Sequence, residues 1–320
     1  MALLTLDEIR TARERIAGVA VRTPLLPAAW AGGRGRLSLK PENLQPVGAF
    51  KVRGAHNKIA SLPDDQRARG VVAHSSGNHA QAVAHSARAF GIRAVIVMPD
   101  TAAPVKVKAT ESLGAEVVMV SPAERATRAQ EIAAERGHAL VPPYDDPLVI
   151  AGQGTIGLEV LEDAPDDDLV IVVPVGGGGL IAGIAAAVKR SRPGAKVVGV
   201  EPRHAADARE SLRAGERVAW PIERVQRTIA DALRVTPVGE LPWEHIRAYV
   251  DDVVAVTDEE LRAAVRILAL RARLVSEPSG AAGVAAHLFH RDELPGASRH
   301  VAVVSGGNID PALFADIVSG

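Results

Sequence analysis

The feature of this sequence that most constrains its fold is a regular alternation of short apolar segments with helical segments. Three apolar runs of strand length alternate with three helical patterns, at residues 71–73, 78–90, 94–98, 104–113, 116–120 and 122–136. Gly91 and Gly137 follow two of the helical patterns, and glycine is the usual residue just after a helix C-terminus. This alternation predicts parallel strands joined by crossover helices, and therefore an α/β fold.

The same alternation returns after a proline-rich stretch at residues 141–147. Strand and helix patterns then lie at residues 152–162, 169–173, 180–190, 197–200, 252–256, 280–289 and 301–304, while residues 201–237 show no clear pattern. A length of 320 residues exceeds one ordinary domain. We therefore expect two lobes, each an open, mainly parallel sheet flanked by helices.

The composition excludes several classes of function. The formal net charge is −1 with both signs interspersed, which leaves no basic surface for nucleic acid or an anionic membrane. The chain has no cysteine, so disulfides, a thiolate nucleophile and cysteine-based metal sites are excluded. No apolar run suits a signal peptide or a membrane-spanning helix, and we expect a cytoplasmic protein.

A glycine-rich turn is the first candidate binding element. Four consecutive glycines separate the strand pattern at 169–173 from the next helix: Gly176, Gly177, Gly178 and Gly179. Glycine lets the backbone pass close to a ligand, and the N-terminus of the following helix offers free N–H groups and a positive dipole end. The turn therefore predicts a phosphate-binding site.

The same turn permits a second interpretation. Gly177, Gly179 and Ala182 match the Gly-x-Gly-x-x-Gly/Ala fingerprint of dinucleotide-binding folds. Glu201 ends the next strand pattern about twenty residues later, as a ribose-binding carboxylate does in those folds. The fingerprint normally lies in the first βα unit of its domain, whereas this one lies in mid-chain. A nicotinamide-binding protein therefore remains an outside alternative.

A lysine and two polar turns complete the candidate cofactor site. Lys51 follows Phe50 at the start of a helical pattern. Ser305 ends the strand pattern at 301–304, where its hydroxyl could hydrogen-bond a ring nitrogen. Hydroxyl, amide and helix N–H groups that can bind a carboxylate lie together at Ser75, Ser76, Asn78 and His79. Each feature alone has an ordinary explanation as a surface lysine, a β-turn or a helix cap, but together they predict a phosphorylated cofactor bound covalently by one lysine.

A possible cation site lies further along the chain. Glu201, Asp207 and the carbonyl of Ala205 are close in sequence. Carboxylates and a carbonyl suit a hard cation such as Mg²⁺ or Ca²⁺. Solvated surface carboxylates are the alternative. The ten histidines show no ligand spacing, so we expect no transition-metal site.

Taken in order, these motifs resemble a known family. The chain resembles the threonine/serine dehydratase and serine racemase family of pyridoxal-phosphate enzymes, which has the tryptophan-synthase-β-like fold, known as fold type II. The matching segments lie at residues 40–45, 48–55, 75–79, 150–157, 176–179, 228–231 and 305–310. The resemblance implies a large cofactor-binding domain of residues 1–47 and 145–320, a small substrate-side domain of residues 48–144, and a homodimer.

The resemblance also implies a role for each candidate residue. Lys51 would bind pyridoxal 5′-phosphate covalently and act as the base on one face of it. Phe50 and Asn78 would contact the ring, Ser305 would meet its nitrogen, and the four glycines would hold its phosphate. The substrate carboxylate would bind at Ser75, Ser76, Asn78 and His79. The segment at 201–207 is similar to the divalent-cation site of the racemases.

The expected activity is loss of water from L-threonine and L-serine, which gives a 2-oxo acid and ammonia. A serine racemase or 3-hydroxyaspartate dehydratase is the first alternative, because Ser76 is typical of those enzymes and can act as a base on the opposite face. A non-catalytic binding protein is a third possibility, which the presence of Lys51 disfavours. Two positions depart from the family pattern: Ala49, where serine is usual, and Ala232, where glycine is usual.

Overall fold

A computed structural model describes residues 2–32, 36–166 and 168–320. The helices in these residues are α1 (Leu6–Arg15), α2 (Lys51–Ala60), α3 (Asp64–Arg69), α4 (Asn78–Ala89), α5 (Pro104–Glu111), α6 (Arg125–Arg136), α7 (Pro147–Asp163), α8 (Gly179–Ser191), α9 (Asp207–Ala214), α10 (Ile222–Val225), α11 (Glu240–Tyr249), α12 (Asp258–Ile267), α13 (Pro278–Phe289) and α14 (Pro311–Ser319). The strands are β1 (Leu26–Pro27), β2 (Arg36–Pro41), β3 (Val71–His74), β4 (Ala94–Pro99), β5 (Glu116–Val120), β6 (Ala139–Leu140), β7 (Leu169–Pro174), β8 (Lys196–Pro202), β9 (Asp252–Val256) and β10 (Arg299–Val304).

The strands form two sheets. The larger has the order β1-β2-β10-β7-β8-β9, and the smaller has the order β5-β4-β3-β6. Every pairing is parallel except that of β1 with β2. The strands of the smaller sheet all come between β2 and β7 in the chain. The predicted α/β fold with two mainly parallel sheets is confirmed, whereas the domain limits at 47/48 and 144/145 stay a prediction.

Each sheet is covered by helices on both faces, as parallel sheets require. Alternate residues of β7 point to opposite faces: Val170 and Val172 pack in one core with α12 and α13, and Ile171 packs in another with α8. In the smaller sheet Val71 packs with α2 and α4, while Val72 packs with α6. Burial on both faces explains why these strands read as continuous apolar runs.

Helix α2 joins the two sheets and carries Lys51 as its first residue. Val52, Ala55 and Ile59 pack in the core of the smaller sheet. The other side of α2 lies against α7, where a Cβ on Gly54 would come within 2.7 Å of the Val149 carbonyl oxygen. Glycine is required at this helix crossing because the two backbones are in contact, and the crossing holds α2 firmly on α7.

Several elements differ from the sequence-based expectation. Helix α7 begins at Pro147, five residues before the start that we predicted at 152, because the Asp146 carboxylate caps it by accepting from the N–H groups of Leu148 and Val149. The patternless segment 201–237 contains the short helices α9 and α10. Strands β1 and β6 and helices α3, α11 and α14 were not predicted from the sequence. Among the described residues, no helix has both the length and the apolarity to cross a membrane.

Candidate active site

Lys51 lies half-buried at the start of α2. Its Nζ donates a hydrogen bond of 2.5 Å to the carbonyl oxygen of Pro143 and lies 5.2 Å from the centre of the Phe50 ring. Burial removes water from the ammonium and lowers the pKa of Lys51 from 10.5 to about 8. Roughly a fifth of this amine is therefore neutral near pH 7.4, far more than for an ordinary lysine, and the neutral form is the one that can act as a nucleophile or a base.

Backbone contacts place Ser305 beside Lys51. The Phe50 N–H donates to the Ser305 carbonyl oxygen at 3.1 Å, and the Gly307 N–H donates to the Gly48 carbonyl oxygen at 2.8 Å. Ala49 lies between these two bonds and forms an isolated antiparallel bridge with Gly306. The turn at the end of β10 is thus paired with the segment that leads into Lys51. Gly48 is needed there, since its φ is +71°.

The glycine turn between β7 and α8 lies close to the same place. A Cβ at Gly177 would lie 2.3 Å from the ring of Tyr144, and a Cβ at Gly179 would lie 2.9 Å from Tyr144 Cβ. Tyr144 follows Pro143, whose carbonyl oxygen binds Lys51. The turn therefore presents bare backbone and the N-terminus of a 13-residue helix near the lysine, and this arrangement fits a phosphate.

In the polar turn between β3 and α4, the side chain of Asn78 hydrogen-bonds residues of the C-terminal part of the chain. Its Nδ2 donates to Oε1 of Glu277 at 2.8 Å, and its Oδ1 accepts from Nδ2 of Asn308 at 2.8 Å. Asn308 Nδ2 also donates to the Val47 carbonyl oxygen at 2.8 Å. The amide of Asn78 is held from both ends, so its orientation is determined by these bonds.

The other residues of this turn differ in their contacts. The Gly77 N–H donates to Ser75 Oγ at 3.2 Å. His79 Nε2 lies 2.8 Å from the Val141 carbonyl oxygen. Burial and the nearby charge of Lys51 lower the pKa of His79 to about 3, so its ring is neutral. Ser76 is half-buried and takes part in none of these bonds.

Glu277 is a site residue to which the sequence analysis assigned no role. It is buried, and burial together with the charge of Asp231 raises its pKa to about 8. Asp231 in turn pairs with Lys106 of α5 at 2.6 Å, which links the two sheets at this side of the site. In the sequence, Glu277 begins the segment Glu277–Gly280, which resembles the racemases more closely than the dehydratases.

Glu201 and Asp207 come together at the end of β8. The Glu201 carboxylate accepts from the N–H groups of Ala208 and Arg209 at 3.0 and 2.8 Å. Both oxygens of Asp207 are buried without a hydrogen bond, although the backbone amides of Asp207 and Val238 favour its charged form. Burial raises the pKa of Asp207 to about 7, and burial with the Asp207 charge raises that of Glu201 well above its usual value.

This pair contains two carboxyl groups, and within the described part of the chain no cluster of three or more histidine or acidic residues could hold a metal ion. The buried, unpartnered oxygens of Asp207 nevertheless need a positive partner or a proton. Ala205, whose carbonyl was the third predicted ligand, is buried next to the pair in the chain.

Pyridoxal phosphate suits the group around Lys51. One connected set of contacts joins three features: the desolvated Lys51 amine, the glycine turn without space for side chains, and the strand end at Ser305. The amine can bond an aldehyde, and the turn can bind a phosphate. The pair at Glu201 and Asp207 lies at the end of β8, the neighbour of β7 in the larger sheet.

Comparison with known proteins gives a consistent result. A sequence model of the family described as "Pyridoxal-phosphate dependent enzyme" matches residues 16–306. L-threonine ammonia-lyase of Thermotoga maritima is 44% identical, with 99% of this chain and 79% of that protein covered. L-threo-3-hydroxyaspartate ammonia-lyase of Saccharomyces cerevisiae is 40% identical, with 100% and 98% covered. The structure of maize serine racemase superposes with a TM-score of 0.93 at 37% identity, covering 98% of this chain and 97% of that one.

Proposed function

We infer the function of this chain from the fact that it belongs to the pyridoxal-phosphate-dependent enzyme family, whose model matches residues 16–306. The resemblance noted in the sequence and the expected fold type II are confirmed by this match. The match leaves the nicotinamide-binding alternative without support, since Gly177 and Gly179 lie in the matched region. We propose that the chain is an ammonia-lyase that removes water from L-threonine and L-serine, giving a 2-oxo acid and ammonia.

The observation that carries this proposal is the half-buried Lys51 amine, with a pKa of about 8, next to the glycine turn and Ser305. Pyridoxal phosphate, when bound, withdraws electrons from the Cα of the amino acid and so acidifies its proton. Lys51 would hold the cofactor and, once released by the substrate, take that proton as a neutral amine. The lowered pKa supports this role, because an ordinary lysine would be protonated.

The remaining residues would bind and orient the reactants. Gly176, Gly177, Gly178 and Gly179 would hold the phosphate through backbone N–H groups. Phe50 and Asn78 would contact the ring, and Ser305 would hydrogen-bond its nitrogen. A hydroxyl there does not keep that nitrogen protonated as a carboxylate would, which suits elimination of a hydroxyl group. The substrate carboxylate would bind at Ser75, Ser76, Asn78 and His79.

A substrate panel tests the proposal. Protein supplied with pyridoxal phosphate and Mg²⁺ is offered L-threonine, L-serine, D-serine and the 3-hydroxyaspartate isomers separately. In each reaction, 2-oxo acid and the enantiomer of the remaining substrate are measured. We expect 2-oxobutanoate from L-threonine with little enantiomer exchange. Absence of 2-oxo acid from every substrate would reject the ammonia-lyase assignment.

A serine racemase or 3-hydroxyaspartate dehydratase is the second candidate, favoured by Ser76 and by the similarity to the maize and yeast proteins. Racemisation requires a base on each face of the cofactor, and Lys51 with Ser76 supplies two. Replacing Ser76 with alanine should lower racemisation of L-serine at least about tenfold more than its elimination, because only racemisation needs the second base. Both rates are measured on one sample. Equal losses in the two reactions would remove Ser76 from this role.

We further propose that Glu201, Asp207 and the carbonyl of Ala205 bind Mg²⁺ or Ca²⁺. The support is the burial of two adjacent carboxyl groups, of which Asp207 has no hydrogen-bonding partner. A divalent cation would offset the cost of ionising both groups.

EDTA treatment should therefore lower the melting temperature, and Mg²⁺ or Ca²⁺ should restore it. Asp207→Asn should melt at the same temperature with and without either cation, because it removes one charged ligand. Melting is followed by circular dichroism. If the untreated, EDTA-treated and cation-supplied samples of the unaltered protein melt together, the two acids are structural only.

The homodimer and the cytoplasmic location remain predictions. The homodimer rests on resemblance to the family, and light scattering after gel filtration tests it directly.

A further inference from the structure

Four charged side chains are buried together behind Lys51. We call Lys40, Glu42, Arg53 and Glu159 the Arg53 cluster. Each is at most 4% exposed, and Arg53 is among the largest fully buried side chains of the protein. Charged residues are rarely buried so completely unless they are paired, since loss of water around an ion costs several kcal/mol.

Arg53 is at the centre of the cluster and has partners for all its nitrogens. Its Nε and Nη2 donate to the two oxygens of Glu42 at 2.8 and 2.9 Å. Its Nη1 and Nη2 donate to the two oxygens of Glu159 at 2.6 and 2.9 Å. Further bonds run to Thr155 Oγ1 at 3.1 Å and to the Val21 carbonyl oxygen at 3.0 Å. Two carboxylates thus each accept two hydrogen bonds from the guanidinium group, in the bidentate geometry that arginine alone provides.

Lys40 completes the charge balance. Its Nζ lies 2.5 Å from Glu159 Oε2 and 2.5 Å from the Thr23 carbonyl oxygen. With all four groups ionised, two positive and two negative charges cancel. Although burial alone would raise the pKa of Glu42, the charge and hydrogen bonds of Arg53 hold it below its usual value. The cluster then carries no net charge, and each of its ions is paired with an opposite charge inside it.

The position of Arg53 in the chain connects this cluster to the active site. Arg53 comes two residues after Lys51, so its side chain leaves α2 about 200° around the helix from that of Lys51. Phe50 precedes the helix and provides no side-chain cap for its first turn. The first turn is instead fixed on one side by the bonds of Arg53 and on the other by the backbone hydrogen bond from Phe50 to Ser305.

The loop before Lys51 is tied to the same cluster. Gln45 Nε2 donates to Glu42 Oε2 at 3.0 Å and to the Val21 carbonyl oxygen at 2.8 Å. Glu42 therefore binds both Arg53, which follows Lys51, and Gln45, which precedes it. A displacement of Lys51 along or around α2 would break several buried charged bonds at once.

We propose that Arg53, through its bidentate ion pairs with Glu42 and Glu159, is a positioning residue that fixes the place of the Lys51 amine relative to Ser305 and the glycine turn. This inference rests on the proposed role of Lys51. The consequence for the reaction is large, because a misplacement of about 1 Å at a reacting group can cost about 10²-fold in rate.

The test is the substitution Arg53→Lys, which retains the positive charge but cannot form bidentate hydrogen bonds with two carboxylates. We expect kcat for L-threonine to fall at least about tenfold with KM changed less than about threefold, because substrate binding groups are untouched while the base is displaced. The visible absorption band of the bound cofactor should also change in position or intensity. The matched control is Arg192→Lys, since within the described residues Arg192 bonds the backbone carbonyl oxygens of Leu161, Ala164 and Asp166 and no side chain. This control should lower the melting temperature and leave both kcat and the band as they were.

Glu42→Gln is the second variant and keeps Arg53 itself. It should shift kcat and the band in the same direction as Arg53→Lys. Wild-type kcat and an unchanged band in a folded Arg53→Lys protein would overturn the proposal, as would failure of both variants to fold, which would make the cluster purely structural. If the unaltered protein has no ammonia-lyase activity, the proposed function fails separately, and the absorption band still reports whether Lys51 has moved.

Discussion

Replacing Lys51 with alanine is expected to reduce formation of 2-oxobutanoate from L-threonine by at least about 10⁴-fold, since a positioned acid–base group alone contributes about 10²–10⁴-fold. The variant loses both the amine that bonds the cofactor and the base that takes the Cα proton. The fold should persist, because among the described residues the substitution removes a single side-chain hydrogen bond, the one to the Pro143 carbonyl oxygen. Circular dichroism and 2-oxo acid assays on the same preparation measure both effects.

A chemical readout separates the two losses. Borohydride should attach the cofactor irreversibly to the peptide that contains Lys51 in the unaltered protein and leave Lys51→Ala unlabelled. Lys58→Ala is the matched control, because Lys58 lies two turns further along α2 and pairs with Asp146 at 2.7 Å outside the site. It should retain activity and labelling. Wild-type turnover by Lys51→Ala would show that another group performs the reaction.

The second large effect is on stability, from the substitution Glu159→Ala. Glu159 binds both Lys40 and Arg53, so its removal leaves two buried positive charges with only the carboxylate of Glu42. Breaking a buried ion pair from one side typically costs about 3–5 kcal/mol, and we expect a loss of that size in the free energy of unfolding. Urea denaturation followed by circular dichroism measures it.

Glu162→Ala provides the control on the same helix. Glu162 lies three residues further along α7 and pairs with Arg13 and Arg22, but its side chain is 48% exposed. Surface ion pairs contribute about 0–1 kcal/mol, so this variant should lose less than about 1 kcal/mol. Similar losses in the two variants would contradict the difference that we attribute to burial.

Local patterns in the sequence were sufficient for the fold class and for several site candidates. Strand β7 followed by four glycines and α8 is recognisable because close backbone approach and helix N-terminal amides depend on consecutive residues. Lys51 and Ser305 were nominated because they occur in the same order, among the same motifs, as in the family that the chain resembles. The helix start at Pro147 was misplaced because its cap depends on the side-chain orientation of Asp146, which periodicity does not report.

The contacts that give the site its properties were not accessible from local patterns. Glu277 and Asn308 lie 199 and 230 residues from Asn78, yet together they orient its amide. The Pro143 carbonyl oxygen that accepts from Lys51 is 92 residues away from it. Nothing in the spacing of such residues encodes their meeting, because they approach only when two separate sheets pack around α2.

The sequence by itself therefore determined the α/β architecture and the family, and it nominated Lys51 and the glycine turn as site candidates, since these depend on periodicity and on short ordered motifs. The tertiary structure alone decided that Lys51 is desolvated and that Arg53 is enclosed by Glu42 and Glu159. Burial and charge pairing between distant residues are properties of the packed chain, and it is burial that lowers the pKa of the Lys51 amine.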